Sequence, residues 1–172
     1  TAGKDAAIRD LAGATMVPGF IDAHTHFSFA LQMAGALDLS DKALPKAKTI
    51  AELQGAVRDY IARRAIPKGD WVVVMQYNEE TLTERRHITR AELDAVSPDH
   101  KIILFHVSFH GLVANSPALA AAKLTDASQP PPGGMMLRDD AGRLNGVLLD
   151  KARFVMLPAM PQPPEAQKRG GL

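Results

Sequence analysis

The stretch Val17-Pro18-Gly19-Phe20-Ile21-Asp22-Ala23-His24-Thr25-His26 is an apolar run that ends in two histidines one residue apart. Successive side chains of a strand point to opposite faces, so Asp22, His24 and His26 share one face while Ile21, Ala23 and Thr25 share the other. Two imidazoles on one face can converge on a single metal ion. Pro18-Gly19 breaks the chain just before the run, and residues 27–37 read as a loop followed by a helix, so the histidines sit where a strand ends. In α/β proteins that is the end at which active sites are built. Asp22 has two readings of equal weight: it orients a histidine by accepting its other N–H, or it caps nearby backbone groups.

Outward from this run, helix and strand signals alternate. Thr49-Ile50-Ala51-Glu52 is a capping box, with Ile50, Leu53, Val57, Tyr60 and Ile61 at helical spacing, and Ile66-Pro67-Lys68-Gly69 ends that helix. Trp71-Val72-Val73-Val74-Met75 is a short continuous apolar run, as expected of a strand buried on both faces. Thr89-Arg90-Ala91-Glu92 is a second capping box and opens a short helix stopped by Ser97-Pro98; Lys101-Ile102-Ile103-Leu104-Phe105-His106-Val107 then reads as another buried strand. Apolar strands alternating with helices are the pattern of parallel βαβ units. Three such units do not close an eight-stranded barrel, and residues 102–107 are expected to form an exposed edge that favours association, hence a homo-oligomer.

Further on, Asn115-Ser116-Pro117 reads as an N-cap with proline in the first turn of a helix over residues 118–123. The proline-rich loop Gln129-Pro130-Pro131-Pro132-Gly133-Gly134 follows. Residues 135–138 and 144–149 flank Asp139-Asp140-Ala141-Gly142-Arg143 as a β-hairpin.

Residues 16–27 resemble the first-strand signature of the amidohydrolase superfamily, Pro-Gly-Phe-Ile-Asp-x-His-x-His, whose histidines are the first two metal ligands. Further motifs follow in order: Arg86-His87-Ile88-Thr89-Arg90-Ala91-Glu92-Leu93-Asp94, then His106-Val107-Ser108-Phe109-His110-Gly111-Leu112-Val113-Ala114-Asn115-Ser116-Pro117-Ala118-Leu119, then Gly133-Gly134, Arg138-Asp139, Gly142 and Gly146-Val147-Leu148. This order is similar to the amidohydrolase family 3 branch, that of the N-substituted formamide deformylases, and the likeness runs from about Ala7 to Ala152. It implies an α/β chain: the first part of a TIM-type (β/α)8 metal-dependent hydrolase barrel, incomplete, with a β-hairpin insertion. Residues 1–15 are then the end of a preceding β-domain and its linker, and residues 16–172 the N-terminal portion of the barrel.

The resemblance also implies a divalent metal ion, zinc by expectation, held by His24 and His26, and a pocket lined by His110 and Asn115. The implied reaction is hydrolysis of a carbon–nitrogen bond in a small amide-type substrate, and a piece of this length is expected to be inactive alone. The alternative is a non-catalytic piece or pseudoenzyme that binds metal weakly or packs on a partner. His106 is expected to be a satisfied core histidine, His87 and His100 surface residues, and Tyr77-Asn78-Glu79-Glu80 a solvated loop. Asp150 stands where relatives carry Glu.

Composition agrees with a folded enzyme portion and excludes other classes. The chain has 172 residues, 46% apolar and 23% charged, which is ordinary for a globular protein. Its 20 basic and 19 acidic residues leave a formal charge of +1 with no basic run to track a phosphate backbone, so no nucleic-acid partner is expected. No apolar stretch reaches membrane-spanning length and residues 1–5 have no export-signal character, so a cytoplasmic location is the expectation. With no cysteine, a metal must be held by imidazole, carboxylate or water.

Overall fold

The structure, a computed structural model, describes residues 3–5, 7, 9–21, 33, 35–40 and 46–161. Its described elements are β1 (Leu37–Asp38), α1 (Ile50–Arg63), β2 (Trp71–Tyr77), α2 (Arg90–Asp94), β3 (Lys101–His106), β4 (Gly111–Ala114), α3 (Ser116–Ala121), β5 (Gly134–Arg138) and β6 (Leu144–Asp150), with 3-10 turns over Glu79–Thr81 and Lys151–Ala159. The strands form one sheet in the order β1-β2-β3-β4-β6-β5. β1, β2 and β3 are parallel, and the β3–β4, β4–β6 and β6–β5 pairs are antiparallel.

Both faces of the sheet are covered, which is why β2 and β3 read as unbroken apolar runs. On one face Val72, Val74, Ile102 and Leu104 pack against Leu53 and Val57 of α1 and Leu93 of α2. On the other, Ile103 and Phe105 pack with Ala118 and Leu119 of α3 and with Ala152 and Met156. Each fully buried Leu or Val contributes about 1.5–3 kcal/mol to holding these layers together. The helices start where their caps predict: Thr49 accepts from Glu52 N, and Thr89 with Glu92 forms a complete capping box.

Two strands escape the apolar-run criterion, and one changes the topology. β1 is two residues long, too short to show a period. β4 is four residues, all buried, and pairs antiparallel with β3. β3 is therefore interior, which corrects the expectation of an open edge at residues 102–107; among the described strands the edges are β1 and β5. The hairpin falls where the turn residues place it, but β6 pairs with β4, so the hairpin continues the main sheet. Gly146 makes that continuation possible. Its φ is +94°, and a Cβ there would lie 2.4 Å from the Ala114 carbonyl oxygen.

Asn115 braces the β3–β4 pair. It is fully buried, and its carboxamide makes four hydrogen bonds: Oδ1 accepts from Ile102 N (2.9 Å) and Ala118 N (3.1 Å), and Nδ2 donates to His100 O (2.8 Å) and Ser97 O (3.3 Å). One side chain thus caps α3 and ties it to the start of β3 and the turn before it. Asn115→Ala should leave two buried N–H groups and a carbonyl short of partners and destabilise the fold by about 3 kcal/mol. Thermal denaturation followed by circular dichroism should show Tm lower by about 6–12 °C.

Candidate active site

The parallel strands β1, β2 and β3 end at Asp38, Tyr77 and His106 on one side of the sheet. β6 is antiparallel to β4 and so runs in the direction of β3, ending on the same side at Asp150. A cavity of about 420 Å³ opens there, lined in part by Leu39, Ser40, Gln76, Tyr77, Asn78 and Val107.

Local backbone devices bring ionisable side chains to this rim. β2 carries a bulge between Val74 and Tyr77, with Gln76 at φ +63°. The extra residue puts Tyr77 into the same core layer as Val74, although the two are an odd number of positions apart. Asn78 accepts from Glu80 N (2.9 Å) and so caps the 3-10 turn that turns Glu79 back over the strand ends. His87 lies between Ile88, which is fully buried, and Arg86, whose guanidinium donates to both oxygens of Glu92 (2.9 and 2.7 Å). That pairing holds the Glu92 carboxyl below its usual range.

Glu79, His87 and His106 come together as a result. Glu79 Oε2 lies 2.8 Å from His106 Nε2 and 3.6 Å from His87 Nδ1, while the Tyr77 hydroxyl sits 2.5 Å from His87 Nδ1. The Tyr77, His87 and His106 ring centroids are 5.7–6.2 Å apart. Burial, and then the Glu79 charge, push the Tyr77 phenol well above its ordinary range, so it stays protonated beside His87 Nδ1. Burial pushes the His87 imidazole below its ordinary value against the opposing pull of Glu79. Ser108 N–H, which can only donate, points at His106 Nδ1 (3.1 Å), so His106 carries its proton on Nε2 toward Glu79. His106 Nε2 and Glu79 Oε2 are shut off from solvent and in contact, though out of line for a hydrogen bond.

These side chains, 17–26% exposed, depart from the sequence expectations for His87, His106 and Glu79. His106 is the last residue of β3, so the strand-end rule used for His24 and His26 was the available signal. His87 stood within the motif that begins at Arg86 and Glu79 just beyond the second strand, but neither pattern says that the Asn78-capped 3-10 turn brings Glu79 toward His87 and His106. His100 is also not a surface residue: it is buried, with Nδ1 2.7 Å from Ser97 Oγ and Nε2 3.0 Å from Ile66 O.

His110 lies on the same rim, ahead of β4, with its side chain 77% exposed and Nδ1 3.2 Å from Asp150 Oδ1. Asn115, expected beside it in the pocket, is instead the buried brace described above, and its four hydrogen bonds leave no carboxamide valence for a substrate. Asp22, His24 and His26 lie outside the described residues. Among the described residues no group of three or more His, Asp or Glu is arranged to hold a metal ion, and no helix is long and apolar enough to cross a membrane.

A model of the amidohydrolase family matches residues 7–170. The chain is 38% identical over 151 residues to the N-substituted formamide deformylase of Arthrobacter pascens, covering 88% of this chain and 27% of that protein. It is 35% identical over 151 residues to the putative amidohydrolase YtcJ of Bacillus subtilis, with the same coverages of 88% and 27%. It therefore spans about a quarter of the length of these curated relatives. In fold it is similar to two uncharacterized metal-dependent hydrolases seen in crystal structures. The one from Pyrococcus horikoshii has a TM-score of 0.54 at 22% identity, over 83% of this chain and 24% of that one. The one from Pyrococcus furiosus has a TM-score of 0.52 at 21% identity, over 82% and 24%.

The rim makes stability depend on pH with a definite sign. A His87 ring kept neutral by burial binds fewer protons in the folded chain than in the unfolded one, whose ordinary value is 6.5. Its contribution is then complete above that value and is lost as pH falls through it. Urea unfolding midpoints should decline from about pH 7 to about pH 5, and His87→Gln should make that decline shallower.

Proposed function

The chain belongs to the amidohydrolase family, and on that footing we propose that it forms the front portion of a metal-dependent hydrolase barrel that cleaves a carbon–nitrogen bond, other than a peptide bond, in a small amide-type substrate. The observation that carries this reading is the gathering of acid–base side chains at the carboxyl ends of β2, β3 and β6, beside a cavity on that rim.

In this reading His24 and His26 would hold the divalent ion, zinc on the proposal, through neutral imidazole nitrogens, with Asp22 orienting one ring or capping backbone beside it. The donor set fits: the chain has no cysteine, and the imidazoles are spaced for one strand face. The residues leading into them, Met16, Val17, Phe20 and Ile21, have their apolar side chains exposed, which suits a segment that packs on further parts of the whole protein. Two imidazoles are fewer than the three protein ligands of a catalytic zinc site, so later strands of the whole protein supply the remainder. The ion, when bound, supplies Lewis-acid polarisation of the scissile carbonyl and a more acidic water.

The chain's own residues supply positioning and proton handling. His110, exposed on the rim, contacts the substrate. Glu79 and His106 keep a carboxylate and an N–H in a water-poor place at the strand ends, where a proton can be held on His106 Nε2. Asn115 serves the site indirectly, by fixing β4 and hence the turn that carries His110. The name of the Arthrobacter relative makes N-substituted formamides the first substrates to assay.

In the full-length protein that carries this sequence, His24→Ala and His26→Ala should each lose most of the metal retained after dialysis, measured by elemental analysis. Undiminished metal in both variants would overturn the ligand assignment. Full metal content with no hydrolysis of any amide would favour the alternative of a non-catalytic packing role.

A further inference from the structure

We propose that Asp150 is a positioning residue that holds the His110 ring in one tautomer and one orientation toward the substrate; this rests on the reading of His110 as a substrate-contacting group. The first observation is conformational. Asp150 has φ +50° and ψ −123°, a combination natural to glycine and strained for any residue with a Cβ, and its side chain makes no cap bond to the helical turn that follows.

The second observation is what the aspartate side chain reaches. Asp150 N–H donates to the His110 carbonyl (2.7 Å), a bond that glycine would make equally well. What aspartate adds is the carboxylate, whose Oδ1 lies 3.2 Å from His110 Nδ1. The two side chains are 77% and 49% exposed, and an ion pair in that setting adds less stability than the strained backbone removes. On balance the aspartate costs the fold stability, so its effect is on the ring.

That effect is specific. An ionised carboxylate only accepts, so His110 Nδ1 must be the donor and Nε2 is left with its lone pair on the exposed side of the ring. The main-chain bond and the carboxylate together grip His110 at two points. The backbone is also shaped at the other end of this contact: Phe109, just before His110, has φ +58°, and Ser108 Oγ accepts from His110 N–H (3.1 Å). The outcome is an imidazole that presents Nε2 as an acceptor, suited to an N–H or a proton of a small amide or its attacking water.

The test compares Asp150→Gly, Asp150→Asn and His110→Ala. In the 172-residue chain, 15N spectra above the histidine titration range should show His110 as the Nδ1–H tautomer, and Asp150→Gly should convert it to a mixture while raising Tm by about 2–4 °C. Asp150→Asn keeps an acceptor oxygen in place and should keep the tautomer. In the full-length enzyme with an N-substituted formamide as probe, Asp150→Gly should lower kcat/KM about 10–10²-fold with metal content unchanged, and Asp150→Asn by much less. An unchanged tautomer, or a lower Tm, in Asp150→Gly overturns the proposal. A fall in kcat/KM for His110→Ala with none for Asp150→Gly overturns the positioning by Asp150 alone. Unchanged kcat/KM for His110→Ala instead removes His110 from the site.

Discussion

A buried carboxamide cannot be left short of partners, and the requirement to satisfy Asn115 organises the centre of this molecule. Removing an amide from water without replacing its hydrogen bonds costs several kcal/mol, so Asn115 is tolerable in the core only because the start of β3, the turn before it and the first turn of α3 converge on it. Satisfying it fixes where β4 ends. Once β4 lies against β3, its other edge accepts β6, and Gly146 lets β6 approach the Ala114 carbonyl closely enough to pair. A parallel β-unit is thereby extended by antiparallel strands without a break in the sheet.

The same extension decides what stands at the rim. Because β4 reverses direction and β6 reverses it again, β6 delivers Asp150 to the side where β2 and β3 end. Two kinds of ionisable pair result. Glu79 and His106 meet with their contacting atoms out of solvent, 2.8 Å apart. His110 and Asp150 meet in water, where the charge itself matters little and geometry matters more. Both pairs stand at the carboxyl ends of strands, the side on which α/β proteins build their sites.

Much of the fold was legible in local sequence because local physics dictates it. The capping boxes at Thr49 and Thr89 and the cap at Asn115 mark helix starts, since orphan N–H groups need nearby oxygens. The apolar runs at Trp71 and Lys101 mark strands buried on both faces, and the Gly-containing turn after Asp139 marks the hairpin. The candidate site was legible only in part. Motif singled out His110, which the structure puts on the rim, and His24 and His26, which lie outside the described residues, whereas Asn115 was assigned to a pocket when its own cap signature already accounted for it.

What the sequence determined by itself, then, was the set of elements, their apolar layers and the family signature, because periodicity, caps and turn residues act over a few positions. Only the tertiary structure decided that β4 covers β3, that the hairpin joins the same sheet, and that Glu79, His87 and His106 face one another. The physical reason is the same each time. A four-residue strand buried on all sides carries no period, a bulge at Gln76 shifts every later side chain to the other face, and the contact between His110 and Asp150 spans forty positions, so each depends on partners that no local pattern names.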